Sequence, residues 1–159
     1  MGTEPTATAP MLVHEALNRA LAGDTYGGGM LLVPLIEDSH RECFALCVML
    51  ATACTHGLEP QGPDGMFVLA VEDVLTGEPG RAEDLPPDAQ FAAQFVTALA
   101  NRDEDGARAL FDALAADTTT EAGIGQIVDG VLALYGMAIA SVRALVAEEQ
   151  RTNPNQRKD

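Results

Sequence analysis

Residues 119–149 read TTEAGIGQIVDGVLALYGMAIASVRALVAEE. Ile124, Val128, Val131, Tyr135, Ala138, Val142 and Leu145 recur along this stretch at alternating spacings of four and three. That spacing is a heptad-like seam held for three heptads, and it predicts one long helix. Ile127, Leu134, Met137 and Val146 widen the seam. A helix that is apolar most of the way round belongs in the middle of a structure. Thr119 and Thr120, followed by Glu121, supply its capping residues. The surplus of apolar surface is also the motive for a second chain. Val128, Val131, Tyr135, Ala138, Val142 and Leu145 are therefore the expected interface of a homodimer, or of a complex with another protein.

A second central helix spans 39–56. Asp38 or Ser39 can cap it, and Glu42 stands three residues after Ser39 as in a capping box. Gly57 is a suitable residue to follow its end. Around these two, residues 11–22 place Leu12, Ala16, Leu17, Ala20 and Leu21 on one helical stripe. Residues 88–102 do the same with Phe91, Phe95, Val96 and Leu99, and residues 103–116 with Ala107, Leu110, Phe111 and Leu114. The short Asn101–Asp105 segment reads as the joint of an αα-hairpin. The fold class is thus all-α, a single-domain bundle of five to seven helices around 39–56 and 119–149. It occupies residues 11–150, between a disordered leader over 1–10 and a polar tail over 151–159.

Three stretches are less regular. Thr25-Tyr26-Gly27-Gly28-Gly29 reads as a turn or flexible loop, because consecutive glycines cost backbone entropy to order. Residues 30–36 and 66–72 are short apolar runs that periodicity alone cannot assign. For 30–36 a short helix entering a second one is the first reading; the run from Met66 is a helix capped by Asp64, or a strand. Short strands at 30–36 and 66–72, giving an α+β fold, are the alternative, and Pro34 counts against a central strand. The two halves also share an outline. An Ala-Leu-Ala run precedes Asp24 and Gly27 in one half, and Asp103 and Gly106 in the other, and a long capped helix comes later in each.

The 159 residues, 16.7 kDa, suit one domain with a real core. Nine basic residues against 24 acidic ones leave a net charge of -15. Phosphate backbones and anionic lipid both need Lys and Arg, so neither nucleic acid nor a membrane surface is expected as a partner. Mimicry of nucleic acid would require the carboxylates to line one face. Lys158 is the only lysine, and the Arg, Ala and Gly bias suggests a bacterial coding sequence. The beginning of the chain lacks a basic and apolar signal pattern. The uncharged run from Cys43 to Thr55 is too short to span a bilayer. Asp129 and Arg143 interrupt the longer run from Ala122 to Ala147. Three cysteines make no disulfide framework, and the expected location is a reducing cytoplasm.

His40, Cys43, Cys47 and Cys54 are the most chemical group in the chain, all on one helical face. Imidazole and thiolate are ligands for zinc or copper. Cys54 lies about 10 Å beyond Cys47 along the axis, too far to share an ion. His40, Cys43 and Cys47 are therefore the candidate metal ligands, with a fourth group from elsewhere. Alternatively, the cysteines pack as small hydrophobes. A ligand pocket on this face would also draw on Met49 and Tyr135. No other set rises to chemistry. His14-Glu15 lacks the second histidine of a zinc-protease motif, since Asn18 stands there. No Gly-Lys-Ser or Gly-Lys-Thr comes after Gly27-Gly28-Gly29, and neither Ser39 nor Ser141 sits in a nucleophile elbow. The adjacent acidic pairs diverge by about 100° on a helix and make poor metal sites. The expectation is a non-catalytic interaction or regulatory protein of the bacterial cytoplasm, with no cofactor. The alternative is a helical small-ligand- or metal-binding protein using the face of His40, Cys43 and Cys47.

Overall fold

The computed structural model describes residues 8–59, 63–70, 72 and 76–153. Most of the expected leader and of the expected tail lies outside the described residues, as does Val71 within 66–72. Among the described residues seven α-helices occur in order: α1 (Ala9–Leu21), α2 (Thr25–Met30), α3 (Val33–Asp38), α4 (His40–Thr55), α5 (Pro87–Ala100), α6 (Glu104–Leu114) and α7 (Glu121–Thr152). Two single 3-10 turns, Pro63–Gly65 and Ala82–Asp84, lie in the connection between α4 and α5. The chain is an all-α single-domain bundle, and its helices begin at Ala9 and end at Thr152, slightly beyond 11–150 on both sides.

Helix α7 runs against α4 on one side and α5 on another, with α1 and α6 closing the bundle around it. Leu46, Cys47, Leu50, Phe95, Phe111, Val131 and Leu134 are fully buried where these helices meet. Each such apolar side chain contributes about 1.5–3 kcal/mol by leaving water. Helix starts are set by local chemistry. The Ser39 hydroxyl accepts from Glu42 N–H at 3.2 Å and starts α4. Thr120 does the same for α7 through Gly123 N–H at 3.1 Å.

The Thr25–Gly29 segment is not a loop. It forms α2, started by Asp24, whose carboxylate accepts from Gly27 N–H at 2.9 Å. The glycines are used for close approach. A Cβ on Gly28 would overlap both the Tyr135 hydroxyl oxygen and the Ala16 carbonyl. Packing against α1 and α7 offsets the entropy that three glycines cost on ordering.

The strand alternative at 30–36 and 66–72 is also overturned. Residues 33–38 are α3, with Pro34 in its first turn, where a missing N–H costs nothing. Residues 66–70 are irregular, so neither the helix capped by Asp64 nor the strand forms there. The Asn101 carboxamide pairs with this backbone instead. Its oxygen accepts from Phe67 N–H at 2.7 Å and its nitrogen donates to Phe67 C=O at 3.0 Å. An isolated bridge between Glu72 and Pro79 is the only β pairing among the described residues.

Candidate functional site: an apolar cleft beside the first turn of α4

Helices α3, α4, α6 and α7 do not close completely on one another. They leave a cleft of about 620 Å³. Val33 and Ile36 come from α3, His40 and Cys43 from the first turns of α4, Phe111 and Ala115 from the end of α6, and Ile124, Ile127 and Val128 from the start of α7. The walls are mostly apolar because Cys43, Phe111, Ala115 and Ile127 are buried positions of their segments, while Ile124 lies at the open side. The gap exists because α3 is short and α6 stops at Leu114, so neither reaches far enough to cover the start of α7.

Glu37, Ser39, His40 and Thr118 give the cleft its polar edge, and neighbouring carboxylates hold two parts of it. Asp117, in the turn from α6 to α7, accepts from the backbone N–H and hydroxyl of both Thr119 and Thr120. These bonds favour the carboxylate and draw its pKa from 3.8 down to about 2. His40 Nε2 lies 3.0 Å from Asp112 Oδ1, and its ring meets Phe111 edge-on at 4.8 Å. An ionised Asp112 only accepts, so Nε2 carries the proton. In the neutral ring Nδ1 then keeps its lone pair. The pair is half-exposed and contributes about 1 kcal/mol or less to stability.

The three cysteines part company. Cys43 lines the cleft, while Cys47, one turn on, points into the core. The Cys47 thiol donates to Cys43, which lowers the Cys43 pKa and raises that of Cys47. Cys54 lies against α7, its sulfur 4.0 Å from the Leu134 carbonyl, and burial pushes its pKa up to about 11. All three are free thiols. Of the expected ligand set, only His40 and Cys43 share the cleft. Among the described residues no three His, Cys, Asp or Glu side chains are grouped to hold a metal ion. Met49 and Tyr135 stand elsewhere. The Tyr135 hydroxyl lies 2.9 Å from the Ala16 carbonyl and 3.3 Å from that of Thr25, tying α7 to α1 and α2.

The heptad seam of α7 faces its own bundle. Val131, Tyr135 and Ala138 are buried within the chain, and Val128, Val142 and Leu145 are half-buried. Most of the surface they were expected to offer a second copy is already covered by α1, α4 and α5. A heptad spacing identifies an apolar stripe but not which helix covers it.

What stays open lies to one side of that seam. Ile124 is 49% exposed and Leu132 44% exposed on α7; Tyr26 is 80% and Met30 50% exposed on α2. A Cβ on Gly29 would lie 4.0 Å from Leu132, so α2 crosses α7 at this level. Val128, which lines the cleft, is one turn from Leu132, beside which α2 passes at Gly29. Val33, Ile36, Phe111, Ala115 and Leu132 were not singled out by sequence reasoning as site residues. Their only signal was apolar character, at or near the ends of α3 and α6 for the first four and within α7 for Leu132. A second, more open hollow of about 600 Å³ lies between residues 66–69 and α5.

By length and composition alone, α7 would suffice to cross a membrane. In this fold it is the central helix of the bundle, and its Arg143 guanidinium donates to the Ala20 carbonyl at the end of α1, 2.9 Å away. No known protein family, curated protein or solved structure matches this chain.

Proposed function

We propose that the chain is a non-catalytic interaction protein of the bacterial cytoplasm, whose cleft receives an apolar segment of another protein. The observation that carries this reading is the apolar cleft together with the exposed Ile124 that lines it and the exposed Leu132 two turns further along α7. Soluble monomers rarely leave large apolar side chains contiguous without a use. The buried seam of α7 supports a partner that binds beside that seam rather than along it.

Photo-cross-linking tests the reading. A benzophenone amino acid replaces Ile124 or Leu132 in the native cells, with Asp105 on α6 as the control position. The expected result is one discrete adduct from the first two positions and none from Asp105. The cross-linked protein, identified and purified, then binds the wild-type chain and loses that binding to Ile124→Ser. Equal cross-linking from all three positions would remove the proposal.

The volume of the cleft favours a second reading, a small and mainly apolar ligand, because such sites span about 300–1,000 Å³. His40 Nδ1 would accept a hydrogen bond from it. Native mass spectrometry of the purified protein would reveal a bound molecule of defined mass, lost on Ile124→Trp. Neither reading uses a metal.

A further inference from the structure

We infer that the segment received by this surface is a cationic amphipathic helix; this rests on the interaction reading above. Two stretches of chain build the surface, residues 24–43 and residues 111–132. The first contains Asp24, Glu37, Asp38 and Glu42 against Arg41; the second contains Asp112, Asp117, Glu121 and Asp129 and no Lys or Arg. Seven of these eight acidic residues are exposed and Glu42 is half-buried. Glu37 lines the cleft, and Asp112 meets the cleft's His40 at 3.0 Å. Of the basic residues just outside these stretches, Arg19 pairs with Glu15 at 3.0 Å, while Arg108, stacked over Phe44 at 3.6 Å, and Arg143, on the Ala20 carbonyl, keep their charge. Counted with Arg41, which is exposed, they set three cations against eight carboxylates, so the balance of these stretches is negative.

Shape selects a helix. From Ile124 to Leu132 the apolar strip runs about 12 Å, which is the reach of apolar side chains at i, i+4 and i+7 on a partner helix. A strand would need an exposed sheet edge, and the described residues contain no sheet. Charge selects the partner's sign. A second copy meeting this face with its own would bring the same carboxylates together, and an acidic or neutral segment would leave them unpaired. Basic side chains flanking an apolar stripe satisfy both features, and their attraction weakens as salt screens it.

Fluorescence anisotropy with labelled peptides of about 18 residues, five helical turns, tests the inference. The three probes are a Leu/Lys peptide with Leu at helical spacing, its Leu/Glu counterpart, and a Leu/Lys peptide of the same composition in shuffled order. The expected result is that the first binds at least about ten-fold more tightly than either of the others. The double substitution Glu37→Lys with Asp129→Lys is expected to weaken it about ten-fold, and Ile124→Ser with Leu132→Ser to do likewise. All four positions are exposed, and circular dichroism melts of the variants report whether the fold is kept. Equal binding of the shuffled peptide would overturn the inference, because attraction would then depend on net charge alone. Equal or tighter binding of the Leu/Glu peptide, sensitive to Ile124→Ser with Leu132→Ser, would overturn the cationic assignment and leave apolar docking standing. Absence of all peptide binding while Ile124 and Leu132 still cross-link a partner would overturn the helix assignment alone. Absence of both would remove the interaction reading with it.

Discussion

At the joint between α1 and α2, Gly23 takes φ +99°, and Asp24 then caps the next helix through Gly27 N–H at 2.9 Å. At the joint between α5 and α6, Arg102 takes φ +61°, and Asp103 caps through Gly106 N–H at 2.9 Å. The backbone bonds correspond one by one. Asp24 N–H reaches Arg19 C=O at 2.9 Å, and Asp103 N–H reaches Ala98 C=O at 2.8 Å. Both are Schellman-type endings that run directly into an Asp-capped helix. Beyond the Asp the two halves diverge. Four residues after it, the first half has Gly28 and the second Ala107, both buried. Gly28 lets the Tyr135 hydroxyl and α1 come into backbone contact, so α2 is pressed flat and lasts only six residues. Ala107 keeps α6 at an ordinary distance, and α6 continues for 11 residues. One turn chemistry thus gives two outcomes, because a single methyl group decides how near the next helix can lie. The apolar cleft opens where the short version, α2 with α3, meets the end of the long version.

The strongest test of this parallel lies at its apolar anchors. Leu32 and Phe111 each stand eight residues after the capping Asp and are fully buried. Phe111→Ala is expected to cost about 4 kcal/mol and Leu32→Ala about 3 kcal/mol, read from urea midpoints. A near-neutral result at one of them would show that the two positions are not equivalent in the core. Next come the residues that make the halves differ. Gly28→Ala forces a methyl into the Ala16 carbonyl and is expected to cost about 2–3 kcal/mol by overpacking. Ala107→Gly, the same exchange reversed, should cost about 1 kcal/mol from helix propensity. If Gly28→Ala were tolerated, close approach would not explain the short α2.

Smaller effects come from the joints themselves. Asp24→Ala and Asp103→Ala are each expected to lose about 1 kcal/mol of helix capping. Arg102 sits in a left-handed conformation that Gly23 adopts without strain. Arg102→Gly should therefore stabilise the protein by about 0.5 kcal/mol in thermal melts, the relief of backbone strain exceeding the extra entropy of the unfolded glycine. The last test lies beyond the second joint, at Asp117. Its folded pKa of about 2 is below the ordinary carboxylate value. Its stabilising contribution is thus complete above the unfolded pKa of about 4 and is lost as pH falls through about 2. Asp117→Asn should be less stable than the wild type at pH 5, and the gap should close between those two values. Carboxyl-carbon NMR titration reads the pKa directly.

Much of the bundle was legible in the chain. Ser39 and Glu42 announced the start of α4, and Gly57 its end. The apolar residues from Ile124 to Leu145 announced a long central helix. Capping and periodicity act between residues a few positions apart, so a single sequence displays them. The Thr25–Gly29 segment was misread for the complementary reason. Glycine's cost is local, whereas its benefit, contact with Ala16 and Tyr135, is visible only when distant helices are brought together. His40 and Cys43 were recognised as a shared face, but their partner Asp112 lies 72 residues away, and the metal set lost Cys47 to the core.

Local chemistry along the chain thus set the helical class, the central pair of helices, the Asp-capped joints and the excess of negative charge. Tertiary packing settled that the α7 seam faces inward, that Leu132 and Ile124 stay in water, and that α3, α4, α6 and α7 leave an apolar cleft between them. The physical reason is range. Capping, turn conformation and amphipathic spacing are settled over one or two helical turns, while burial depends on which helices meet, and in this chain a missing side chain at Gly28 governs how closely they do.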